Sequence, residues 1–199
     1  MSRLLETLCL ENGQVHLLPY HAARMQRSRR ELWGLNTPLD IQAALLPLLK
    51  DYQKGLYKCR VLYGREIEDI NFIPYQRPQI RSLKKVYSEH IEYAHKYEER
   101  TALHMLYQQK GSCDDILIIK DGWLTDTYIG NLLLFDGQQW WTPDQPLLQG
   151  VQRQYLLDQG RIQTAAIRET DLPGFQAFKF INALNPFKTS AAVPIAGIQ

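Results

Sequence analysis

The chain has 199 residues, of which 45% are hydrophobic and 22% are charged, and its formal net charge is +2. This composition excludes a disordered or low-complexity chain, and no apolar run reaches the roughly 18 residues that a membrane helix needs. So small a charge gives no indication of a nucleic-acid partner. Glu6 interrupts the N-terminal region before a long apolar core can form, which argues against a secretory signal.

The first half of the chain predicts a hairpin, two helices and two strands. Asn12-Gly13 lies between apolar runs, which favours a tight turn and a hairpin over residues 8–18. Apolar residues at helical spacing predict helices over 21–33 and 38–52, ended by glycines. The predicted strands that follow cover 57–63 and 67–75.

The second half begins after residues 76–82, which break the pattern and are predicted to link two lobes over 1–77 and 82–199. The elements predicted beyond the linker are a helix over 97–109, strands over 116–119, 132–135 and 139–142, a helix over 151–159, and strands over 162–168, 178–183 and 191–195. Clustered strands and helices without strict alternation predict an α+β fold.

The cysteines Cys9, Cys59 and Cys113 are far apart and odd in number. They fit neither a disulfide framework nor the spacing of a metal site, so we expect reduced thiols, a cytoplasmic protein and no bound metal. The nearby histidines His90 and His95 have no further ligands at metal spacing. The sequence also contains no glycine-rich nucleotide loop and no nucleophile elbow.

Several short segments follow one another in a fixed order. They are His21-Ala22-Ala23-Arg24-Met25, Lys96 with Arg100, Asp114–Ile118, Gly122–Asp126 leading to Gly130-Asn131-Leu132, Thr142-Pro143 leading to Leu148–Arg153, and Asn182–Pro186. In this order the sequence resembles the class IV aminotransferase family of pyridoxal-phosphate enzymes, from Leu5 to Ile195. The resemblance implies the two-lobed fold type IV structure, related to D-amino acid aminotransferase, with pyridoxal 5'-phosphate as cofactor and a homodimeric assembly.

The resemblance assigns the cofactor's Schiff-base lysine, which is also the catalytic residue, to Lys96 in the C-terminal lobe. A helix predicted to begin at Tyr97 would place positive potential beside this amine and disfavour its ammonium form. Arg100 follows four residues later, as in the lyases of the family. By composition alone, a solvated lysine in the charged run 95–100 is the favoured interpretation.

The resemblance assigns the cofactor's phosphate to Arg24, to the backbone of Val151 and Gln152, and to a loop carrying Ala183 and Leu184. An arginine offers a forked donor to a dianion, and the start of a helix offers N–H groups that lack intrahelical partners. Arg24 taken by itself is equally one more solvated cation in a basic helix.

The pyridine nitrogen needs a carboxylate beside it to remain protonated. The family usually places glutamate at the position of Asp126, so the cofactor ring here would lie nearer the strand, or a water would bridge. Without the resemblance, an aspartate in a turn is the preferred interpretation of this residue.

Two departures from the family bear on function. The family normally begins with a strand segment ahead of the position where this chain starts, so we interpret the chain as shortened at its N-terminus. The arginine of the family's Glu-x-x-Arg strand motif is here Cys9. Thr7, Arg60 and Arg100 are candidates for substrate binding, although Arg60 on a solvated strand face is an equal alternative.

Three functions stay open at this point. The first is a lyase that converts 4-amino-4-deoxychorismate to 4-aminobenzoate and pyruvate for folate biosynthesis, favoured by Arg100 and by Asn182–Pro186. The second is an aminotransferase acting on branched-chain or D-amino acids, favoured by Arg60. The third is a family member that has lost catalysis. We expect a small-molecule substrate, a homodimer, and neither nucleic acid nor membrane as partner.

Overall fold

The computed structural model describes residues 3–199, and contacts divide them into two compact units. The first unit contains the described residues up to Arg77 together with the segment His95–Glu99. The second unit contains Pro78–Ala94 and Arg100–Gln199. Lys96 was predicted to lie in the C-terminal lobe, whereas its contacts group it with the N-terminal residues.

The first unit is built on an antiparallel sheet of four strands in the order β2-β1-β3-β4. The strands are β1 (Leu4–Glu11), β2 (Gln14–Val15), β3 (Leu56–Tyr63) and β4 (Ile67–Pro74). The predicted hairpin joins β1 to β2, and Asn12 and Gly13 adopt φ angles of 50° and 81° in its turn. A tight turn of this hand requires such positive angles, which explains the Asn-Gly pair.

The helices of the first unit are α1 (Leu18–Trp33) and α2 (Ile41–Leu45). α1 ends at Gly34, which has a φ of 67° and closes the helix in the left-handed conformation. The predicted helix over 38–52 is shorter than expected because Pro47 cannot continue it, and only a 3-10 turn over Leu49–Asp51 follows. The core lies between the sheet and the helices and includes Leu4, Leu8, Met25, Ile41, Leu45, Cys59, Val61 and Tyr63.

The second unit contains a larger mixed sheet in the order β10-β9-β8-β7-β6-β5, with β11 pairing with β8 and β12. The strands are β5 (Leu83–Tyr87), β6 (Asp115–Lys120), β7 (Trp123–Thr127), β8 (Asn131–Phe135), β9 (Trp140–Pro143), β10 (Gln163–Ala165), β11 (Ala177–Ile181) and β12 (Val193–Pro194). The β5–β6 and β9–β10 pairs are parallel and the other pairs are antiparallel. Its helices are α3 (Thr101–Tyr107) and α4 (Val151–Asp158).

The predicted α+β class is confirmed, but some predicted elements are wrong. β5 and β7 were not predicted, because β5 contains two lysines and β7 contains Thr125, Asp126 and Thr127, which are polar yet buried. The helix expected from residue 97 begins only at Thr101. Among the described residues, none of the helices has the length and apolar character needed to traverse a lipid bilayer.

Candidate functional site

The segment that carries Lys96 is attached to the edge of β1. The backbone N–H of Leu5 donates to the carbonyl of Lys96 at 2.8 Å, and Tyr97 forms an antiparallel bridge with Leu4. Tyr97 also packs against the core of the first unit. Strand pairing, rather than a helix, therefore fixes the backbone at Lys96, which is half-buried.

The expected influence of a helix start on Lys96 is wrong. α3 begins five residues later, at Thr101, and the field of a helix end falls off within its first turn. Burial lowers the pKa of His21, and the positive charge of Lys96 acts in the same direction as a smaller cause. Lys96 therefore belongs to the same unit as the segment His21-Ala22-Ala23-Arg24.

Glu6 is the centre of a buried ionic cluster between β1 and α1. Nε of Arg24 donates to Oε1 of Glu6 at 2.8 Å, and Nη2 donates to Oε2 at 2.5 Å. Nδ1 of His21 lies 2.6 Å from Oε2 of the same carboxylate. Glu6 and His21 are fully buried and Arg24 is only 7% exposed. This two-point pairing fixes the plane and orientation of the Arg24 guanidinium.

The cluster has a defined charge state. Burial raises the pKa of Glu6, but the charge of Arg24 and the hydrogen bonds from His21 and Arg24 outweigh it, so the pKa falls to about 2. Burial lowers the pKa of His21 despite its bond to Glu6. At neutral pH the cluster therefore consists of a carboxylate, a guanidinium and a neutral imidazole.

Thr7 and Arg60, two predicted substrate-binding residues, are direct cross-strand partners on β1 and β3. Side chains of directly opposite residues project from the same face of a sheet. Thr7 follows Glu6 in β1, so this face is the one opposite to the face that carries Glu6. Both side chains are half-buried.

Asp126 in β7 is the buried carboxylate of the second unit. Nδ2 of Asn131 donates to its Oδ1 at 2.7 Å, and the backbone N–H of Leu148 donates to its Oδ2 at 2.9 Å. Burial raises the pKa of Asp126 to about 6, although these bonds and the charge of Arg153 act in the opposite direction. Asp126 is thus a buried acid held by neutral donors.

Asn131 connects Asp126 to the start of α4. Its Nδ2 also donates to the carbonyl of Leu148 at 2.9 Å, and a Cβ placed on Gly150 would overlap its Oδ1. Gly150 is the N-cap residue of α4 and has no side chain with which to cap the first N–H groups of the helix. Val151 and Gln152 are the first helical residues, as predicted, and both are buried.

The predicted loop residues Ala183 and Leu184 lie in a turn organised by Asn182. Oδ1 of Asn182 accepts from the backbone N–H of Leu184 and of Asn185, at 2.9 Å in each case. Nδ2 of Asn182 donates to the carbonyl of Ile129 at 2.8 Å, which ties the turn to the segment between Asp126 and Asn131. The structure thus brings the predicted loop near the segment that follows Asp126. The backbone N–H of Leu184 donates to Asn182 within the same turn.

Arg100 is held by aromatic residues of the second unit. Its guanidinium carbon lies 4.3 Å from the ring centroid of Tyr128 and 6.0 Å from that of Tyr93, and Nη2 donates to the carbonyl of Tyr128. Its buried Nε has no hydrogen-bond partner among the described residues. These contacts fix the side chain by stacking, with its charge kept close to Tyr128.

Sequence reasoning did not single out Glu6, His21 or Asn131 as functional candidates. Glu6 and Asn131 each orient a predicted cofactor-binding residue, Arg24 and Asp126 respectively. Their positions in the sequence could have indicated them. Glu6 begins the Glu-x-x-Arg strand motif, and His21 lies three residues before Arg24. Asn131 follows Asp126 by five residues.

These donors fit pyridoxal phosphate by their chemistry. The first unit offers an amine on Lys96 and a rigidly held cation on Arg24. The second unit offers the buried carboxylate of Asp126 beside a helix start that a glycine leaves without a side-chain cap. An amine, a cation for a phosphate dianion and a carboxylate for a ring nitrogen are the groups that this cofactor requires.

Comparisons with known proteins agree with this chemistry. The family described as amino-transferase class IV matches residues 3–188. An uncharacterized protein of Haemophilus influenzae is 41% identical over 186 residues, which cover 93% of this chain and 99% of that protein.

Solved structures are similar as well. The crystal structure of a suggested 4-amino-4-deoxychorismate lyase from Haemophilus somnus 129pt is 35% identical, with a TM-score of 0.86 over 94% of this chain and 98% of that one. A hypothetical aminotransferase from Mycobacterium tuberculosis, in its PLP-bound form, shares the fold at 16% identity, with a TM-score of 0.80 over 96% of this chain and 80% of that one.

Proposed function

Because this chain belongs to the class IV aminotransferase family and has the fold type IV structure of its pyridoxal-phosphate enzymes, we propose that it is a lyase that converts 4-amino-4-deoxychorismate to 4-aminobenzoate and pyruvate. The similarity to the Haemophilus somnus protein, at 35% identity over 94% of the chain, supports the lyase assignment. Members of the family bind pyridoxal phosphate, and we extend this property to the present chain.

Lys96, Arg24 and Asp126 would hold the cofactor in this proposal. The observation that carries it lies in the first unit: β1 pairs with the Lys96 segment and also provides Glu6, which forms an ion pair with Arg24 of α1. Arg24 would bind the phosphate, with its guanidinium oriented by Glu6. The candidates for phosphate-binding backbone groups within the second unit are Val151 and Gln152 at the start of α4, and Ala183 and Leu184 in the turn organised by Asn182.

When bound, the cofactor supplies an electron-accepting ring that stabilises negative charge at the substrate carbon bearing the amino group. Lys96 takes the proton from that carbon as a general base. Lys96 would then return a proton to the three-carbon group as the C–O bond between this group and the ring breaks. The group leaves as pyruvate, so no proton is gained or lost overall. Asp126 would keep the ring nitrogen protonated by pairing with it.

Thr7 and Arg60 would bind a carboxylate of the substrate from their shared face of the sheet. A hydroxyl and a guanidinium on adjacent strands provide the charge and hydrogen bonds that such a group needs. Arg100 would stabilise substrate from its position on Tyr128. In this proposal the enzyme is a homodimer, which light scattering on the purified protein measures directly.

The test begins with cofactor attachment. Protein incubated with pyridoxal phosphate and reduced with borohydride should gain one pyridoxyl mass on the peptide that contains Lys96. The Lys96→Ala variant should lose this label, and the control variant Lys84→Ala, which changes an exposed lysine of β5, should keep it.

The second measurement is turnover. Wild-type protein should release pyruvate from 4-amino-4-deoxychorismate, detected with lactate dehydrogenase, and Lys96→Ala should lower kcat by at least about 100-fold, as for removal of a general base. Transfer of an amino group between branched-chain or D-amino acids and a keto acid, without pyruvate release, would identify an aminotransferase. Cofactor attachment without either reaction would identify a non-catalytic member and overturn the proposal.

A further inference from the structure

Three side chains with metal-binding atoms share one face of the hairpin formed by β1 and β2. The pairs Leu10↔Val15 and Glu11↔Gln14 fix the register, which continues to Cys9 opposite His16. The backbone N–H of His16 donates to the carbonyl of Cys9 at 2.9 Å. Glu11 lies two residues beyond Cys9 on the same strand, and residues at i and i+2 project from the same face.

The ligand atoms of these residues converge. A sulfur, an imidazole nitrogen and a carboxylate oxygen from Cys9, His16 and Glu11 all lie within 4.8 Å of one another. Nε2 of His16 is 3.8 Å from Oε2 of Glu11. Ligands about 2.0–2.3 Å from a tetrahedral ion are roughly 3.3–3.8 Å apart, so the cluster must contract by at most about 1.5 Å.

The two outer ligands can make this adjustment. The side chains of His16 and Glu11 are 46% and 36% exposed, so they can rotate without disturbing the core. Cys9 is buried and supplies a fixed sulfur. The cluster thus combines one rigid ligand with two adaptable ligands at the protein surface.

We propose that Cys9, Glu11 and His16 bind a zinc ion, with water as the fourth ligand. A thiolate, an imidazole and a carboxylate together suit a borderline-soft ion such as zinc, whereas magnesium and calcium prefer oxygen ligands. Cys9 binds as a thiolate and its proton passes to solvent. Sequence spacing concealed the site, because the ligands become neighbours only when the Asn12-Gly13 turn folds the hairpin.

Arg77 competes with the metal for Glu11. Its Nη2 lies 3.1 Å from Oε2 and 3.2 Å from Oε1 of Glu11, and its Nη1 lies 3.3 Å from Oε1. The two side chains are 25% and 36% exposed, and ion pairs with this degree of exposure are weak. Zinc can therefore share or replace the contact of Arg77 with Glu11.

The test titrates chelator-treated protein with zinc chloride in competition with a chromophoric chelator. We expect one zinc per chain, and a loss of affinity of at least about tenfold in His16→Gln, since even groups that only support a ligand contribute that much. His16 is exposed, so this variant should fold normally. Cys9→Ser should weaken zinc binding as well.

Matched controls change a cysteine and a histidine outside the cluster. Cys113→Ser and His90→Gln should bind zinc like the wild type, since neither residue lies on the hairpin. With cobalt chloride in place of zinc, the near-ultraviolet charge-transfer absorption of a thiolate should appear in Cys113→Ser and be absent in Cys9→Ser. Absence of stoichiometric binding, or equal affinity in His16→Gln and wild type, would overturn the proposal.

Discussion

Each unit of the molecule has a buried carboxylate at its predicted cofactor-binding residues: Glu6 bonds to Arg24 in the first unit, and Asp126 is itself such a residue in the second. The pKa values of the two carboxylates are shifted in opposite directions. Glu6 contacts the guanidinium of Arg24, and its pKa lies at about 2. Asp126 accepts hydrogen bonds from an amide and a backbone N–H, and burial raises its pKa to about 6. Both groups are removed from water, so the contact with a cation decides the direction of the net shift.

The difference indicates different tasks. Glu6 already has its counter-charge within the first unit, so its role is to hold Arg24 in place. The charge of Arg153 also favours ionised Asp126, but the Arg153 guanidinium bonds to Thr142 and to the carbonyl of Pro143. Under the proposed function, a protonated ring nitrogen is the partner that completes the Asp126 site and favours its ionised form.

The largest expected effect comes from removing the charge of Glu6. Glu6→Gln leaves the Arg24 guanidinium buried without its anion, and breaking a buried ion pair costs about 3–5 kcal/mol. Urea denaturation followed by circular dichroism measures this free energy of unfolding. The control Glu66→Gln, at an exposed position of the same unit, should change it by less than about 0.5 kcal/mol. A cost for Glu6→Gln below about 1 kcal/mol would contradict the assigned pairing.

The pH dependence of stability should have opposite slopes for the two carboxylates. The pKa of Glu6 is lowered from 4.5 to about 2, so its contribution is present above pH 4.5 and is lost as the pH falls towards 2. The pKa of Asp126 is raised from 3.8 to about 6, so its contribution is present below pH 3.8 and is lost as the pH rises through 6. Shifts of about two pKa units correspond to about 3 kcal/mol.

Urea denaturation of the cofactor-free protein between pH 3 and pH 8 measures both slopes. Glu6→Gln should flatten the acid side of the profile, and Asp126→Asn should flatten the decline between pH 4 and pH 7. Asp115, whose pKa burial also raises to about 6, adds to that decline and remains in both variants. Identical profiles for wild type and Asp126→Asn would show that Asp126 titrates normally.

The elements that the sequence predicted well are those whose chemistry is local. Asn12-Gly13 predicted its hairpin and Gly34 predicted the end of α1, because each requires a backbone conformation that few other residues adopt. β7 was missed because its pattern is polar while the fold buries it. The expected helix at Tyr97 failed because that residue pairs with Leu4, a contact across more than ninety positions that local propensity cannot anticipate.

The same distinction applies to the candidate site. The motif segments identified Lys96, Arg24 and Asp126 by their resemblance to the family, and their cofactor roles remain predictions. The partners that orient Arg24 and Asp126 could not be read from the sequence. Glu6 meets Arg24 only because β1 and α1 pack together, and Asn131 meets Gly150 only because a loop returns to β8.

Gly150→Ala tests the second unit by a steric change of intermediate size. The new Cβ would overlap Oδ1 of Asn131, so the Asn131 side chain must move. Its Nδ2 would then lose the hydrogen bonds that it donates to Asp126 and to the carbonyl of Leu148. Overpacking of this kind costs about 1–3 kcal/mol, measured by thermal or urea denaturation. Gly174→Ala is the matched control, since nothing lies within 4 Å of its added Cβ. Equal stability of the two variants would mean that Asn131 is not held as described.

The smallest effect on stability should come from Asp126→Asn, and it separates the two carboxylates most sharply. The substitution removes a poorly compensated buried charge, but it also replaces one of the two acceptor oxygens by an NH2 group, so one of the two hydrogen bonds is lost. Because these effects oppose each other, the unfolding free energy of the cofactor-free protein at pH 8 should change by about 1 kcal/mol or less. Cofactor affinity and pyruvate release should nevertheless fall, because an amide cannot hold the ring nitrogen in its protonated form. Asp126→Glu, which restores the usual family residue and the charge, should retain more activity than Asp126→Asn. A large loss of stability without loss of cofactor affinity would instead make Asp126 a structural residue like Glu6.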